Sequence, residues 1–363
     1  MLYLSNADVQ SVLDMATCLD ALRAGYRDLA RGDAAYVPRI DLWAPTGGDD
    51  DYYCFGSMTG VSRSAGVVAV RIKSDVIAWS DGGKTTEKYC VQPGTYSGII
   101  LLYSIRNGEP LALMNDGYVQ HMRVGGCAGL GVEGLAREDG DVLGLLGSGG
   151  MARTYLEAIH QVRSLRQVKV FSPTREHREQ FAGDMGELLG LSIRPVETAE
   201  EAVRGSAIVA TATDAMAPTF RPEWVEPGTH VTCVTRRELD GTIVERADVV
   251  VQLGVHTIPP GTPVPGMHWP MSAVAGYVAG QPDERARLPW KAPAEDGQYP
   301  SLAEVQAGRV PGRTSPEQIT LFINTGTQGL QFAAVGGRAY QLARQRGLGK
   351  PMPGEWFLQD IRD

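Results

Sequence analysis

The chain has no apolar run approaching the roughly 18 residues that a membrane-spanning helix needs, and its N-terminus lacks the basic-then-apolar pattern of a secretion signal. A soluble, cytoplasmic protein is expected. Its five cysteines, Cys18, Cys54, Cys90, Cys127 and Cys233, are odd in number and form no CxxC pair, which fits a reducing compartment and no zinc site. None of the six histidines pairs with another at helical ligand spacing, so no metal is expected. Positive charge is not in excess. A formal net charge of −8 argues against nucleic acid or an anionic membrane as the main partner. Internal repeats, low-complexity tracts and blocks of like charge are also missing. What is present, 363 residues with 43% hydrophobic composition and 44 glycines, suffices for two domains with cores of their own.

Residues 141–159 read as a buried strand, a glycine turn and the first turns of a helix. That arrangement holds a dinucleotide pyrophosphate. Gly147 lets the strand end turn sharply, Gly149 lets the backbone come close to the anion, and Ala152 permits tight helix–strand packing; Ser148, Gly150 and Met151 complete the loop and first turn. The anion then rests on amides free at the helix start. A GxGxxA by itself also occurs in plain βα turns, and the flanking strand and helix are what favour the binding reading. Short β-branched runs follow at 167–172, 191–196, 207–213, 229–235 and 247–253, with a helix-compatible stretch at 175–189. Alternating βα units with apolar strands predict a parallel sheet covered on both faces.

An NAD-preferring site places an acid about twenty residues past the glycine motif, at the end of the second strand. Here Ser172-Pro173-Thr174-Arg175 stands there instead, with Arg178 one turn on. Two hydroxyls and a guanidinium suit the extra phosphate of NADP, so NADP is expected ahead of NAD. Ser172 or Thr174 would serve equally as an ordinary helix cap.

About 125 residues of different character come first. Strand-like runs at 67–76 and 97–105, the latter followed by Asn107-Gly108, point to antiparallel or mixed sheet. Residues 319–345 read as an apolar, glycine-punctuated helix returning to this part. Residues 259–311, rich in proline and glycine, read as a long irregular excursion, which Trp269, Tyr277 and Trp290 make a packed lid or interface arm. Tyr52, Tyr53, Phe55 and Tyr89 are candidates for a pocket wall or for core. His121, two residues from Arg123, reads as a packing residue or a site residue. Arg39, Lys73 and Arg123 each read singly as solvated cations on apolar elements, and spacing alone does not bring them together.

In order along the chain, Val37-Pro38-Arg39-Ile40, Val70-Arg71-Ile72-Lys73-Ser74, Gly108-Glu109-Pro110-Leu111-Ala112-Leu113-Met114, Met122-Arg123-Val124-Gly125-Gly126, the glycine motif and Ala210-Thr211-Ala212-Thr213 resemble the ornithine cyclodeaminase/mu-crystallin family. The similarity runs from about residue 20 to 345 and weakens over 259–311. It implies an α/β fold in which a doubly wound Rossmann sheet, 125–318, is inserted into an α+β substrate-binding and dimerisation domain made of 1–124 and 319–363. It also implies that Arg39 and Arg123 hold a substrate carboxylate while Lys73 sits against the reacting carbon. Thr211, Ala212, Thr213, Val234 and Thr235, with Gly326 of Asn324-Thr325-Gly326, are placed by it along the cofactor. A guanidinium fork matches a carboxylate, and an ammonium beside C=N or C=O can polarise it or exchange protons.

The chain departs from the family where cyclodeaminases read Gly-Ala-Asp-x-Pro-Gly-x-x-Glu-Leu. It has Thr235-Arg236-Arg237-Glu238-Leu239 there, several residues shorter and with no counterpart of the aspartate. Asp116 or Glu238 could substitute, and Arg236 and Arg237 could meet a second carboxylate or a cofactor phosphate. The family's Arg-Thr-Gly is Arg123-Val124-Gly125, and its aspartate near Asn115 is amidated. These changes favour a homodimeric NAD(P)-dependent reductase of a small 2-imino acid, or an amino-acid dehydrogenase working on a 2-oxo acid. A cyclodeaminase with recycled cofactor and a non-catalytic ligand-binding protein of the crystallin type are the alternatives.

Overall fold

The computed structural model describes residues 1–48, 51–80, 85–254, 267–268, 275–278, 281, 283 and 299–360. The first part of the chain contains β1 (Leu2–Leu4), α1 (Asn6–Gln10), α2 (Met15–Arg31), β2 (Ala34–Pro45), β3 (Asp51–Ser62), β4 (Val67–Ser80), β5 (Thr85–Tyr89), β6 (Gly98–Ser104), β7 (Pro110–Asn115) and α3 (Gly117–Leu135). Strict alternation of buried and half-buried residues along β3 gives that strand one inward face and one outward face. The strands 67–76 and 97–105 expected from the sequence are β4 and β6, and Gly108, at φ +77°, turns β6 into β7.

The glycine-rich half supplies β8 (Val142–Leu146), α4 (Gly150–Val162), β9 (Gln167–Phe171), α5 (Arg175–Leu189), β10 (Ile193–Pro195), α6 (Ala199–Val203), β11 (Ile208–Thr211), β12 (His230–Cys233), α7 (Thr242–Arg246) and β13 (Val249–Gln252). Beyond it lie β14 (Met267–His268), β15 (Ala275–Val278), α8 (Leu302–Gln306), β16 (Thr320–Ile323), α9 (Gln328–Gln345) and β17 (Lys350–Pro351). The seven-stranded sheet is wholly parallel, in the order β10-β9-β8-β11-β12-β16-β13. Its order reverses between β8 and β11, the switch point where α/β sheets bind ligands. The other sheet runs β14-β15-β2-β3-β4-β6-β7-β1-β17, with β5 also on β4.

One boundary differs from the sequence reading. Residues 319–345 are not a single helix, and the return to the first sheet does not begin at 319, because Thr320–Ile323 forms β16 inside the parallel sheet. All four residues are buried, and a short run buried on both sides carries no periodicity to separate strand from helix. The return begins with α9. Within the 259–311 excursion, β15, which contains Tyr277, extends the first sheet by pairing parallel to β2; Trp269 and Trp290, the other residues of the expected lid or arm, lie outside the described residues.

The larger core fills the space between the inward face of the first sheet and α2, α3 and α9. Two further clusters cover the faces of the parallel sheet. Helix α3 joins the larger core to one of these clusters, and Gly125 lies where a Cβ would be 2.4 Å from the Thr154 carbonyl oxygen of α4. Helix α9 crosses β3 closely: a Cβ on Gly329 would sit 2.0 Å from the Thr59 carbonyl oxygen. That crossing buries Leu330 and Phe332, each contributing about 1.5–3 kcal/mol, and fixes the side chains next to them.

Candidate active site

Along the inward face of β4, aliphatic Val67 and Ala69 give way to Arg71, Lys73 and Asp75, and then to Ile77. The charged residues face the same way because they alternate, and all three are buried. Cross-strand register lines up Asp41, Gly56, Lys73 and Gly98 in one row across β2, β3, β4 and β6. The glycines on either side of Lys73 leave room for the charges. A Cβ at Gly56 would stand 2.9 Å from Lys73 Cε, and one at Gly98 would stand 2.1 Å from Asp116 Oδ1.

Each cation of the row has an aspartate partner. Lys73 Nζ donates to Asp75 Oδ2 at 2.7 Å and lies 3.4 Å from Cys54 Sγ. Arg71 donates from Nε to Asp116 Oδ2 at 2.7 Å, with Nη2 also on that oxygen at 2.5 Å. Arg39 grips Asp41 with two bonds, Nε to Oδ1 at 2.7 Å and Nη2 to Oδ2 at 2.8 Å. A one-residue register shift between Val37 and Ile40 marks a β-bulge around Pro38 and Arg39, the device that re-aims a side chain beside a site. Proline tolerates a bulge because it has no N–H to leave unpaired.

Arg123 of α3 is held differently. Its Nη1 donates to Gln331 Oε1 and its Nη2 to Gln120 Oε1, each at 2.8 Å, so among the described residues neutral amides position it and no carboxylate does. Its Nε is buried with no hydrogen-bond partner among the described residues. Arg123 and Arg71 both lie against the Phe332 ring, at 5.0 and 5.5 Å from its centroid. Burial, with Arg71 adding repulsion, pushes the Arg123 guanidinium down to about 10. The same Gln331 donates from Nε2 to the Gly326 carbonyl at 2.8 Å, linking the cation to the end of β16. Nearby Thr327 adopts the left-handed region at φ +53°, held by Tyr26 Oη at 2.7 Å and Gln331 Nε2 at 2.9 Å.

The expected cofactor residues gather at the carboxyl edge of the parallel sheet. Gly147, at φ +114°, follows β8, and a Cβ on it would be 2.2 Å from the Ala212 carbonyl oxygen. Ser148 is half-buried, Gly149 and Gly150 are exposed, and a Cβ at Gly149 would meet nothing within 4 Å. Met151 and Ala152 lie in the first turn of α4, whose first amides face that open space. Ser172, Thr174 and Arg175 follow β9; Thr211, Ala212 and Thr213 end β11; Val234 and Thr235 follow β12; Gly326 follows β16. The positive φ at Gly147, the open approach and the free amides fit a dinucleotide pyrophosphate. His121 stands beside this turn, its Nε2 3.0 Å from where a Gly150 Cβ would be and its Nδ1 3.0 Å from the Gly117 carbonyl oxygen.

Several expectations change with the geometry. Arg178 does not face the ribose edge: it is buried, bonding the Ser172 carbonyl at 3.0 Å and Glu197 at 2.5 Å. Glu238 cannot stand in for the family aspartate. It is fully buried and accepts from Thr213 N at 2.6 Å, Thr213 Oγ1 at 2.8 Å and Thr235 N at 2.8 Å, tying together two cofactor-edge loops. Asp116 is bound to Arg71. Of the aromatic candidates only Tyr52 faces the site, in a cluster with Trp43, Cys54 and Ile77. Tyr53 reaches Ser74 on the outward face, Tyr89 reaches Asp51, and Phe55 is on that face too. Sequence reasoning missed the partners Asp41, Gln120, Gln331 and Phe332; only Arg39-x-Asp41 and Arg71-x-Lys73-x-Asp75, charged at every second strand position, carried a local signal.

Known proteins match in both sequence and fold. The family model of the ornithine cyclodeaminase/mu-crystallin family covers residues 1–335. An alanine dehydrogenase of Archaeoglobus fulgidus is 27% identical over 360 residues, 96% of this chain and 97% of its own. A Δ(1)-pyrroline-2-carboxylate reductase of Bacillus cereus is 28% identical over 266 residues, 70% of this chain and 74% of its own. The solved structure of the Thermococcus litoralis Δ(1)-pyrroline-2-carboxylate reductase in complex with NADH and L-proline shares the fold, with a TM-score of 0.75, 24% identity and coverage of 97% of this chain and 100% of that one. The chain belongs to the ornithine cyclodeaminase/mu-crystallin family.

Proposed function

We propose that the protein is an NAD(P)H-dependent oxidoreductase that reduces a small 2-imino acid, or reductively aminates a 2-oxo acid, to the amino acid. The observation that carries this reading is Arg123, a buried guanidinium held by amides with one donor still unused, beside a lysine in the same sheet face. The names of the similar alanine dehydrogenase and pyrroline-carboxylate reductase support it. The lack of any available acid in the loop at Thr235 to Leu239 weighs against a cyclodeaminase.

In this reading Arg123 takes the substrate carboxylate, and Arg39 closes on it from β2. Lys73 is steadied by Asp75 and Cys54, which leaves an N–H directed at the substrate's C=N or C=O bond. There it polarises the bond and exchanges a proton with the substrate nitrogen. The nicotinamide, when bound, supplies the hydride for the α-carbon. Gln331 holds Arg123 and the Gly326 loop together, so carboxylate and cofactor edges keep one spacing.

NADP is the preferred cofactor in this proposal. No acid ends β9, the Thr174 side chain makes no capping bond, and among the described residues exposed Arg175 is engaged only by Glu179 at 2.7 Å. An exposed pair of that kind is worth about 0–1 kcal/mol, little competition for a phosphate. A homodimer in the cytoplasm completes the proposal: all five cysteines are free thiols, and the outward sheet face presents half-buried Phe55, Val70, Ile72 and Leu101. The test is NADPH and NADH oxidation with 2-oxo acids plus ammonia or methylamine, and with preformed cyclic 2-imino acids. Lys73→Ala should lower turnover by about 10²–10⁴ with NADPH affinity unchanged. Comparable activity in that variant, or silence of the wild type across the panel, refutes the reading.

A further inference from the structure

We propose that the substrate carries a second carboxylate on its side chain, seated between Lys88 of β5 and the indole N–H of Trp79. This rests on the reading of the site as one for 2-imino or 2-oxo acids. Strand β5 folds back on β4 with Lys88 opposite Ile77 and Thr86 opposite Trp79. Opposed residues share a face, so Lys88 joins Lys73, Asp75 and Ile77 on the inward side. Tyr89 goes outward, where its hydroxyl donates to Asp51 Oδ2 at 3.4 Å.

Among the described residues Lys88 has no ion pair and no hydrogen bond, although it is half-buried. Among the described residues, the charges it feels are Lys73, Arg39 and Arg237 against Asp75. Asp75 is already bound to Lys73. Burial first, then those three cations, push the Lys88 ammonium down to about 8. Trp79 adds a second donor: its Nε1 is buried with no hydrogen-bond partner among the described residues, and it packs against the Trp43, Tyr52 and Ile77 cluster. Two diagonally adjacent donors at an apolar wall await an acceptor, and an anion meets both needs.

Charge pairing gives the same answer. Among the described residues Arg39, Arg71 and Lys73 each have their aspartate, whereas Arg123 and Lys88 have none. These two lie on either side of Lys73. Ile77, opposite Lys88, is four residues from Lys73 along β4, about 13 Å of strand, which the four-carbon stem of Lys88 shortens. A 2-oxo or 2-imino dicarboxylate sets one carboxylate next to the reacting carbon, at Arg123, and the other at the end of a short chain, at Lys88.

The experiment compares four- and five-carbon 2-oxo dicarboxylates with 2-oxo monocarboxylates of equal length, in the presence of ammonia and NADPH, for wild type, Lys88→Gln, Lys88→Arg and Trp79→Phe. The wild type should favour the dicarboxylates at least tenfold in kcat/KM. Lys88→Gln should cut that ratio at least tenfold, Trp79→Phe several-fold, and Lys88→Arg should restore most of it. Calorimetric titration of succinate, with butyrate as the singly charged control, into the NADP-loaded protein gives a readout free of turnover. Equal use of both substrate classes, or a ratio that Lys88→Gln does not alter, overturns the proposal, as does succinate binding no tighter than butyrate. If succinate binds in a Lys88-dependent way but nothing is reduced, the reductase reading fails and this one stands. If monocarboxylates are reduced and Lys88 does not matter, the reverse holds.

Discussion

Replacing Gly98 by alanine tests how tightly the ionic row is built. The backbone there is ordinary strand, paired to Lys73 on β4 and accepting from Asp116 N at 3.1 Å, and in such a place alanine should stabilise by about 0.5–1 kcal/mol over glycine. The structure predicts the opposite sign. A methyl at 98 would sit 2.1–2.2 Å from all three atoms of the Asp116 carboxyl. Asp116 must then swing away from Arg71, which stays buried against Phe332 beside a second guanidinium. Breaking a buried pair by removing one partner costs about 3–5 kcal/mol, so the net loss for Gly98→Ala is about 2–4 kcal/mol after the glycine term. Urea unfolding of Gly98→Ala, Asp116→Ala and the double variant measures it. In Asp116→Ala the carboxyl is already gone, and adding the methyl should cost nothing. The two single losses should therefore be strongly non-additive. A Gly98→Ala protein as stable as the wild type, or losses that simply add, would show that the methyl does not act through Asp116.

Three other outcomes are expected. Arg175→Ala should weaken NADPH about tenfold more than NADH by fluorescence titration, since a 2′-phosphate contact is charge-assisted; equal loss for both would remove Arg175 from phosphate recognition. His230, bonded to Thr320 Oγ1 at 2.8 Å, is pushed down to about 3 by burial and then by Arg313 and Arg163. Between about pH 3 and 6.5 the unfolded chain therefore binds the extra proton, and stability falls as pH drops through that window. His230→Gln should flatten the fall of the urea midpoint between pH 6.5 and 4; an unchanged slope would assign the acid sensitivity elsewhere. Light scattering should give twice the 39.1 kDa chain mass, and Ile72→Asp on the outward sheet face should halve it; a dimer that survives the aspartate is built on another surface.

Local signals were readable wherever a residue's neighbours in sequence are also its neighbours in space. Gly147 to Ala152 and the helix Arg175–Leu189 stand where the sequence places them, because a glycine turn and a helical period are each defined within a dozen residues. Arg39, Lys73 and Arg123 each read singly as solvated, and the burial of Lys73 and Arg123 and the half-burial of Arg39 are visible only with partners in place. Gln331 lies 208 residues from Arg123 and reaches it because the Gly329 crossing fixes α9 on β3, a contact with no sequence pattern of its own. Lys88 gave no signal, since the five residues Thr85–Tyr89, polar and short, resemble any polar loop in sequence. Arg178 misled for the opposite reason: its spacing suited a phosphate, yet the loop carbonyls before α5 needed a donor more.

Holding Arg123 with amides also sets how it exchanges ligands. Had an aspartate gripped it, every incoming carboxylate would compete with an internal counter-ion, and each departing one would be replaced by it. Gln120 and Gln331 keep the guanidinium aimed without neutralising it, so arrival and departure of an acid require no rearrangement of the protein's own charges. Selectivity follows as well: a neutral amide or ester analogue would leave an uncompensated cation next to Arg71, and the pocket would reject it through the repulsion between its own two arginines.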